Sequence, residues 1–484
     1  MQRLLSADHL SRLLGAFDRQ PAYRGLRQAL QERIGDGRIP LDTRLPSERD
    51  ASAALGVSRN TVTRAYADLV AAGYARARQG AGTWTVVPAE RRRAHDHALH
   101  ALGPERTGEG AIDLNCAASA ATPGVAAAYA RAMEALPAYL GSDGYLPAGL
   151  PRLRALVAAS YAARGLPTSA GQVIVTSGAL SAIAVVARAL TRPGERVLVE
   201  SPVYSNAIEA LRLGGARLLA SPLGDPLAAD AGWDLDGIES TLAQAAPRLA
   251  YLIPDFQNPT GLLMDASARA RYGAALARHD TLAVVDETLQ TTALSDTPMP
   301  APFACHAPGA ITIGSASKLA WGGLRVGWIR APLDHVERLL AARVQLDLGT
   351  SLFDQLVVCE LLADPDLTGA RREQVRQRRD ALASALRQHL PQWRFRLPDG
   401  GLSLWLRLPH GSATALCASL EHHGVFLAPG PVFSVEGGAD QWLRLPYARP
   451  AEQLEAAVGR IARAWQAMPA APRTGPRRMR RLVA

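Results

Sequence analysis

Residues 315–327 read Ser-Ala-Ser-Lys-Leu-Ala-Trp-Gly-Gly-Leu-Arg-Val-Gly, and this stretch contains the residue that indicates the chemistry of the larger part of the chain. Lys318 is the only lysine among 53 basic residues, so the other 52 are arginine. A general drift from lysine to arginine removes lysines that act only as surface cations. A lysine amine that must lose its proton has no arginine substitute, because arginine stays charged in proteins. Lys318 is therefore predicted to act as a nucleophile that forms an imine.

The residues around Lys318 suit an aldehyde cofactor that carries a phosphate group. The hydroxyls of Ser315 and Ser317 and the guanidinium of Arg325 can hold the dianion while the amine takes the aldehyde. The run Thr176-Ser-Gly-Ala-Leu follows a strand-like segment and opens a helix, so its backbone N–H groups can cradle the same phosphate. Taken alone this glycine turn is weak evidence, since most such turns are only structural.

From Ala111 to about Ala467, helical patterns alternate with short β-branched runs. Four of these runs are Val173-Ile-Val-Thr, Arg196-Val-Leu-Val, Ala250-Tyr-Leu-Ile and Leu282-Ala-Val-Val. Alternation of this kind predicts an α/β architecture with a mainly parallel, buried sheet. Asn258-Pro-Thr-Gly follows the third run and Asp286 ends the fourth, although a strand-end aspartate is often only a helix cap.

These motifs, in this order over about 300 residues, resemble the fold-type I enzymes that use pyridoxal 5'-phosphate (PLP). The resemblance implies a small C-terminal α+β subdomain and PLP held as an imine on Lys318. It implies that Asn258 binds the ring hydroxyl and that Asp286 keeps the pyridine nitrogen protonated. It further implies an effector carboxylate on Arg444 and cofactor contacts from Tyr204, Gly178, Ala179, Leu180, Ser315, Ser317, Arg325 and, toward the partner subunit's phosphate, Tyr145.

The N-terminal part of the chain predicts two helices joined by a tight turn. Ser47 is suited to cap a helix that ends at Leu55, and Ser58 is suited to cap a second helix that ends near Ala72. Gly56 between them permits the turn. In the second helix a buried stripe is expected from the 3–4 residue spacing of Val62, Ala65, Tyr66 and Leu69.

The residues off this stripe have the chemistry of a major-groove reader, because arginine and asparagine side chains hydrogen-bond base edges. Leu45-Pro-Ser-Glu-Arg, Leu55-Gly-Val-Ser-Arg-Asn-Thr-Val and Gly80-Ala-Gly-Thr together resemble the GntR-type winged helix-turn-helix. Residues 74–86 are then expected to form a hairpin, the wing. The predicted DNA-contacting residues are Arg49, Ser58, Arg59, Asn60, Thr61, Thr63, Arg64, Arg78 and Gly80.

A GntR-like head, a linker and an aminotransferase-like body together resemble the MocR/GabR family of PLP-dependent regulators. The predicted boundaries are an N-terminal extension over 1–20, the head over 21–88, the linker over 89–110, the body over 111–467 and a basic tail over 468–484. The resemblance implies a head-to-tail homodimer, binding to a double-stranded DNA operator, and a small amine, an amino acid or PLP itself as the signal.

Composition agrees with a DNA-binding protein of the cytoplasm. The formal charge is +9, which suits a polyanionic partner. No apolar run approaches the roughly 20 residues that a membrane span needs. The four cysteines show no CxxC spacing, so reduced, buried thiols are expected, and neither disulfides nor a metal site.

Two departures from the enzyme pattern bear on catalysis. The tyrosine usual two or three residues after the ring-nitrogen aspartate is absent, so either Thr288 is a weak substitute or Asn258 acts alone on the ring hydroxyl. The phosphate turn has Ala179-Leu180 where Ser-Gln is common. Efficient transamination is therefore not expected. Two alternatives remain: an active PLP-dependent aminotransferase with an accessory DNA-binding domain, and an architectural DNA binder whose body takes no cofactor.

Overall fold

The computed structural model describes residues 3–35, 37–78, 82–88, 110–364 and 367–468. The predicted tip of the wing with Gly80, all of the predicted linker except Gly110, and all of the predicted tail except Met468 lie outside the described residues. The side chain of Arg78 also lies outside them. The described residues form an N-terminal unit over 3–88, here called the head, and a larger unit from 110 onward, here called the body.

The head is a small helical domain with a four-stranded sheet in the order β1-β2-β4-β3. Its elements are β1 (Arg3–Leu4), α1 (Ala7–Leu14), α2 (Ala22–Gly35), β2 (Thr43–Arg44), α3 (Glu48–Leu55), α4 (Arg59–Ala71), β3 (Ala75–Arg78) and β4 (Gly82–Thr85).

The helix boundaries of the head follow the caps expected from its sequence. Ser47 Oγ accepts from the Asp50 N–H at the start of α3, and Ser58 Oγ accepts from the Thr61 N–H at the start of α4. Gly56 is left-handed with φ 60°, a conformation that favours glycine, and it ends α3. The predicted stripe of α4 is buried throughout. The two-helix prediction is therefore confirmed, with α4 ending one residue early.

The head begins earlier than Pro21, because the predicted N-terminal extension is part of it. Leu5, Leu10 and Leu14 are buried in the same cluster as Leu26 and Leu69. Strand β1 also pairs in parallel with β2. The amphipathic pattern of α1 is short, so it gives little sign in the sequence that the helix packs on this core.

The body is built on a seven-stranded sheet in the order β6-β12-β11-β10-β9-β7-β8, in which only β12 runs antiparallel to its neighbours. The mainly parallel α/β prediction is confirmed. The strands are β6 (Val173–Thr176), β7 (Arg196–Ser201), β8 (Arg217–Pro222), β9 (Leu249–Leu252), β10 (Leu282–Asp286), β11 (Ile311–Ser315) and β12 (Gly327–Arg330).

Helices cover both faces of this sheet, and two separate apolar clusters lie against it. The helices of this part are α5 (Val125–Ala135), α6 (Pro151–Ala163), α7 (Ala179–Leu190), α8 (Ser205–Leu213), α9 (Leu235–Ala245), α10 (Ala266–Arg278), α11 (Ala316–Leu319), α12 (Leu333–Val344) and α13 (Leu352–Leu362). Short 3-10 helices occupy Leu136–Tyr139, Ala170–Gln172, Gln290–Thr292, Phe303–Cys305, Gly322–Leu324 and Gly430–Phe433.

The C-terminal part of the body is the small α+β subdomain that the resemblance implied. An antiparallel sheet in the order β13-β14-β17-β16 packs with three helices around its own apolar cluster. Its elements are α14 (Leu367–His389), β13 (Arg394–Phe395), β14 (Ser403–Arg407), α15 (Ala413–Glu421), β15 (Val425–Phe426), β16 (Ala428–Pro429), β17 (Trp442–Pro446) and α16 (Ala451–Ala467). Strand β15 pairs with β5 (Ile112–Asp113), which ties the start of the body to this subdomain.

The head rests on the body through polar contacts. His9 Nε2 lies 2.8 Å from Asp234 Oδ2, and Arg38 Nη1 lies 3.1 Å from Asp225 Oδ2. The Leu41 N–H donates to the carboxylate of Glu436 at 2.8 Å. Sequence reasoning did not anticipate this contact surface.

The sequence predicts no membrane span and four buried thiols. Among the described residues no helix is both long and apolar enough to cross a membrane. Cys359 and Cys417 are buried, but Cys305 is exposed and Cys116 is half-buried, so the expectation of four buried thiols is wrong. Cys305 ends a short 3-10 helix in a loop, where little covers it.

Candidate functional site

A cavity of about 500 Å³ opens where the carboxyl ends of the central strands meet the small subdomain. In open α/β sheets, ligands bind beyond the carboxyl ends of the strands, where the loops leave a crevice. Most of the predicted cofactor residues line this one cavity: Ala179, Leu180, Tyr204, Asn258, Asp286, Ser315, Ser317, Lys318, Arg325 and Arg444.

Lys318 lies on the short helix α11, directly after β11, and its side chain enters the cavity. Its Nζ donates to the carbonyl oxygen of Ala117 at 2.7 Å. Burial lowers the pKa of the Lys318 amine, and the positive charge of Arg444 acts in the same direction. A lowered pKa increases the neutral fraction of the amine, which is the form that attacks an aldehyde.

Asp286 ends β10 and faces the cavity with its side chain buried. Burial raises the pKa of this carboxyl, while hydrogen bonds from Tyr251 and Thr288 oppose the shift. Tyr251 donates its hydroxyl to Asp286 Oδ2 at 2.6 Å, and the Thr288 N–H donates to Oδ1 at 2.9 Å. A carboxylate held in this way can pair with a protonated ring nitrogen.

The opposite end of the cavity has the donors that an anion needs. Helix α7 begins at Ala179, so its first N–H groups point out of the helix toward the cavity. Gly178 has φ 95°, and a Cβ placed there would lie 2.6 Å from Arg325 Nη2. Glycine is therefore needed at this position to let the Arg325 guanidinium lie over the turn. Ser315 and Ser317 complete this end, with their hydroxyl oxygens 3.0 Å apart.

Arg444, on β17 of the small subdomain, is 2% exposed and lies 4.7 Å from the centre of the Phe433 ring. Its Nη1 donates to Asn258 Oδ1 at 3.4 Å, and Nη2 donates to the carbonyl oxygen of Asn115. Its Nε has no hydrogen-bond partner within the described residues. Burial lowers the pKa of Arg444 to about 10. A buried cation without an acidic partner is suited to receive the carboxylate of a ligand.

Two predicted tyrosines differ in position. Tyr204 lines the cavity, and burial raises its pKa to about 12. Tyr145 is 60% exposed and does not line the cavity of its own chain. Its predicted contact with the partner subunit's phosphate therefore remains a prediction.

Sequence reasoning missed several groups that line this cavity or support its lining residues. Tyr251 was noted only as part of a strand, yet it holds Asp286. The carbonyl oxygens of Asn115 and Ala117 hold the two cations, and Cys116 lies between these residues in the cavity wall. Backbone carbonyls carry no signature in a sequence, and the position of Tyr251 beside β10 arises only when the two strands pair.

The predicted DNA-reading residues share one end of the head. Arg49, Ser58, Arg59, Asn60, Thr63 and Arg64 are exposed, and Thr61 is half-buried. Glu48 engages two of them, because it accepts from Thr63 Oγ1 at 2.9 Å and lies 3.5 Å from Arg59 Nε. The Arg64 guanidinium stacks 3.8 Å from the centre of the Tyr23 ring. The N-terminus of α4 thus presents hydrogen-bond donors at the surface, as groove-reading helices do.

Comparison with known families assigns each part of the chain separately. Residues 124–461 match the family "Aminotransferase class I and II", and residues 22–84 match the family "Bacterial regulatory proteins, gntR family". The first match spans more than half of the chain.

Similar proteins include both enzymes and regulators. The chain is 33% identical over 335 residues to the 2-aminoadipate transaminase of Thermus thermophilus, covering 67% of this chain and 81% of that protein. It is 30% identical over 403 residues to the probable rhizopine catabolism regulatory protein MocR of Rhizobium meliloti, covering 77% of this chain and 78% of that protein. The crystal structure of LysN, the α-aminoadipate aminotransferase of Thermus thermophilus in complex with N-(5'-phosphopyridoxyl)-L-leucine, superposes with a TM-score of 0.67. It is 31% identical and covers 76% of this chain and 95% of that one.

Fold and site together define a DNA-binding head of the gntR family joined to an aminotransferase-like body. The chain belongs to the aminotransferase class I and II family and, within it, to the MocR-like transcription regulators, which confirms the resemblance seen in the sequence.

Proposed function

We propose that this chain is a ligand-responsive regulator that holds PLP covalently on Lys318 and changes its DNA binding when PLP or an amino compound occupies the body. The observation that carries the proposal is the position of Lys318. The only lysine of the chain lies in the cavity at the carboxyl ends of the central strands, with an acid at one end and anion donors at the other. A purely architectural DNA binder would have no use for this arrangement.

The residues present fit PLP on three counts. The Gly178 turn, which a Cβ would fill, leaves room for Arg325 at the phosphate end. Asp286 offers a buried carboxylate to the ring nitrogen, and Asn258 offers an amide to the ring hydroxyl. Tyr204 lies in the wall where it can stack on the ring. When bound, PLP supplies an aldehyde that condenses with amines and a ring that withdraws electrons.

The effector is proposed to be a carboxylate-bearing amine, or PLP itself. The free Nε of Arg444 and the weak 3.4 Å bond to Asn258 leave the guanidinium ready to exchange partners for a ligand carboxylate. A bidentate arginine–carboxylate pair gives both affinity and orientation.

Fast transamination is not part of this proposal. Thr288 occupies the place of the usual tyrosine, and its backbone N–H is engaged with Asp286. The competing function, an active aminotransferase, is favoured by the retention of Lys318, Asp286 and Arg444 in one cavity. Rapid multiple-turnover exchange between an amino acid and a keto acid would establish the competing function instead.

A head-to-tail homodimer is also proposed. Met133, Leu140 and Tyr145 expose 56%, 70% and 60% of their surfaces along one stretch of the body, and Trp321 is exposed at the cavity. Such apolar exposure is typical of a surface that another subunit covers. When dimerisation links two heads, binding of one head to its DNA half-site raises the effective concentration of the other head at the paired half-site. Light scattering of the purified protein tests this, and a monomeric mass at micromolar concentration would refute it.

The visible absorbance of the purified protein with PLP, before and after borohydride, tests the covalent assignment. We expect a band that borohydride fixes to the wild-type protein and that is absent in Lys318→Ala. The same band in Lys318→Ala would refute the assignment to this lysine. No band at any PLP concentration would support the architectural DNA binder.

A further inference from the structure

Glu200, near the end of β7, is a buried carboxyl that the proposed cofactor chemistry does not use. It is 1% exposed, and three N–H groups from two segments of the chain donate to it. Trp233 Nε1 and the Ile253 N–H donate to Oε1 at 2.6 and 3.2 Å, and Gln257 Nε2 donates to Oε2 at 3.1 Å. Burial raises the pKa of this carboxyl to about 8, although the three donors oppose the shift.

One of these donors fixes the loop that carries Asn258. Gln257 Nε2 also donates to the carbonyl oxygen of Pro202 at 2.7 Å, and Gln257 Oε1 accepts from Thr260 Oγ1 at 2.7 Å. The Gln257 amide therefore uses both its donor and its acceptor ends, and it holds Asn258 beside Arg444. The Glu200–Gln257 bond thus sets the position of the loop at the ligand end of the cavity.

Another donor leads to the head. Trp233 immediately precedes Asp234, which caps α9 and lies 2.8 Å from His9 Nε2 of the head, both side chains being 14% exposed. The head also meets the segment after Glu200 directly, because a Cβ at Gly37 would lie 3.8 Å from Ser201 Oγ. One carboxylate therefore joins the loop of Asn258 to the surface on which the head rests.

We propose that Glu200 is a positioning residue that couples occupancy of the PLP and effector cavity to the docking of the head on the body. The inference rests on the proposed function, since it needs PLP to bind in the cavity. The contacts run from Arg444 through Asn258 and Gln257 to Glu200, and from there through Trp233 and Asp234 to His9. Each neighbouring pair is in contact or adjacent in the chain.

The physical reason is that an oxygen of a buried carboxyl group that loses its hydrogen-bond partner is costly. If the loop of Asn258 moves when a ligand binds, Oε2 of Glu200 must follow Gln257 or lose a bond in a buried site. Because the two oxygens of Glu200 belong to one planar carboxyl group, a shift of Oε2 also displaces Oε1 and the Trp233 indole that donates to it. The segment that contacts the head would then shift as well.

Hydrogen exchange of the full-length protein, with PLP as the only added ligand, tests the coupling without knowledge of the operator. In the wild type, PLP should change amide exchange in residues 257–261, in 233–238 and in α1, the last by about fivefold. Trp233→Phe keeps an aromatic ring but removes the N–H donor to Glu200. We expect this variant to show the wild-type PLP band and the wild-type change in 257–261, with the change in α1 lost.

The matched control is Trp393→Phe. Trp393 is buried, whereas Trp233 is half-buried, and Trp393 Nε1 has no hydrogen-bond partner within the described residues, so the substitution removes an indole without removing a bond. In this variant PLP should change amide exchange in α1 as it does in the wild type. An undiminished response of α1 in Trp233→Phe would overturn the inference, as would a wild type whose α1 ignores bound PLP. A wild type without a PLP band would instead overturn the proposed function, and the coupling with it.

Glu200→Gln is the second variant, and it acts on the other bond. Two donors fix the Oε1 side, so the new amide nitrogen faces the donating Nε2 of Gln257. Asn258 should move, and the absorbance maximum of bound PLP and its pH titration should shift, neither of which changes in Trp233→Phe. An unchanged spectrum and an unchanged response of α1 in Glu200→Gln would contradict the positioning role.

Discussion

The head and the body use the same residue type in opposite environments. Arg59 in the head exposes 70% of its side chain and its carboxylate partner 36%, so their ion pair is weak and readily exchanged for a phosphate or a base edge. Arg444 in the body is 2% exposed, and its hydrogen-bond partners among the described residues, Asn258 and the Asn115 carbonyl, are uncharged. The exposed arginine is suited to bind a large polyanion at physiological ionic strength, whereas the buried arginine is suited to bind a single carboxylate that can enter a cavity.

The comparison also explains why one lysine remains among 52 arginines. On the surface of the head, arginine provides charge and bidentate hydrogen bonds at least as well as lysine does. In the cavity only lysine can lose a proton and form a bond to carbon. Environment therefore decides which basic residue each part of the chain can use.

Arg444→Gln should produce the largest effect on ligand binding, because it removes the buried cation and leaves the rest of the cavity in place. We expect the affinity for N-(5'-phosphopyridoxyl)-L-leucine to fall by about 100-fold. The affinity for pyridoxamine phosphate, which has no carboxylate, should change little. Calorimetric titration of both ligands into the cofactor-free protein measures the difference, and equal losses for the two ligands would contradict a carboxylate role.

Arg59→Ala should have the next largest effect, and only on the head. Loss of one base contact costs about 1–3 kcal/mol, so DNA affinity should fall by about 5- to 150-fold. The PLP band should not change. Fluorescence anisotropy with a duplex selected from random DNA by the full-length protein measures this. Arg278→Ala removes one exposed charge from the body and serves as the control; if it weakens binding equally, Arg59 acts only through net charge.

Tyr251→Phe should have the smallest effect. The tyrosine hydroxyl favours the ionised form of Asp286, so its removal should raise the pKa of that carboxyl further and weaken its pairing with the ring nitrogen. PLP affinity should fall by about fivefold, the value of one hydrogen bond. Absorbance titration measures this. Tyr272→Phe, at a buried tyrosine outside the cavity, should leave the affinity unchanged, and a similar loss there would point to packing instead.

The sequence predicts those features that depend on the spacing of residues within a single helix or strand. The stripe of α4, the caps at Ser47 and Ser58 and the strand-end position of Asp286 follow from spacing within a few residues. The uniqueness of Lys318 is visible from composition alone. These features belong to single elements, so their chemistry can be read before the chain is folded.

Features that depend on distant segments were not predicted. The bond from Tyr251 to Asp286 joins two neighbouring strands, and the pair of His9 with Asp234 joins residues 225 positions apart. The carbonyl of Ala117 holds Lys318 from a segment with no recognisable motif. Helix α1 was assigned to an extension because its eight residues reveal no partner until the head is assembled.

The affinity of the full-length protein for its selected duplex, with and without PLP, tests the central claim most directly. Measured in the wild type and in Lys318→Ala, it asks whether the body controls the head. We expect PLP to change the wild-type affinity by about fivefold or more, and to leave unchanged a Lys318→Ala variant that still binds DNA. An identical wild-type affinity in the two conditions, with the PLP band present, would show that the head and the body act independently.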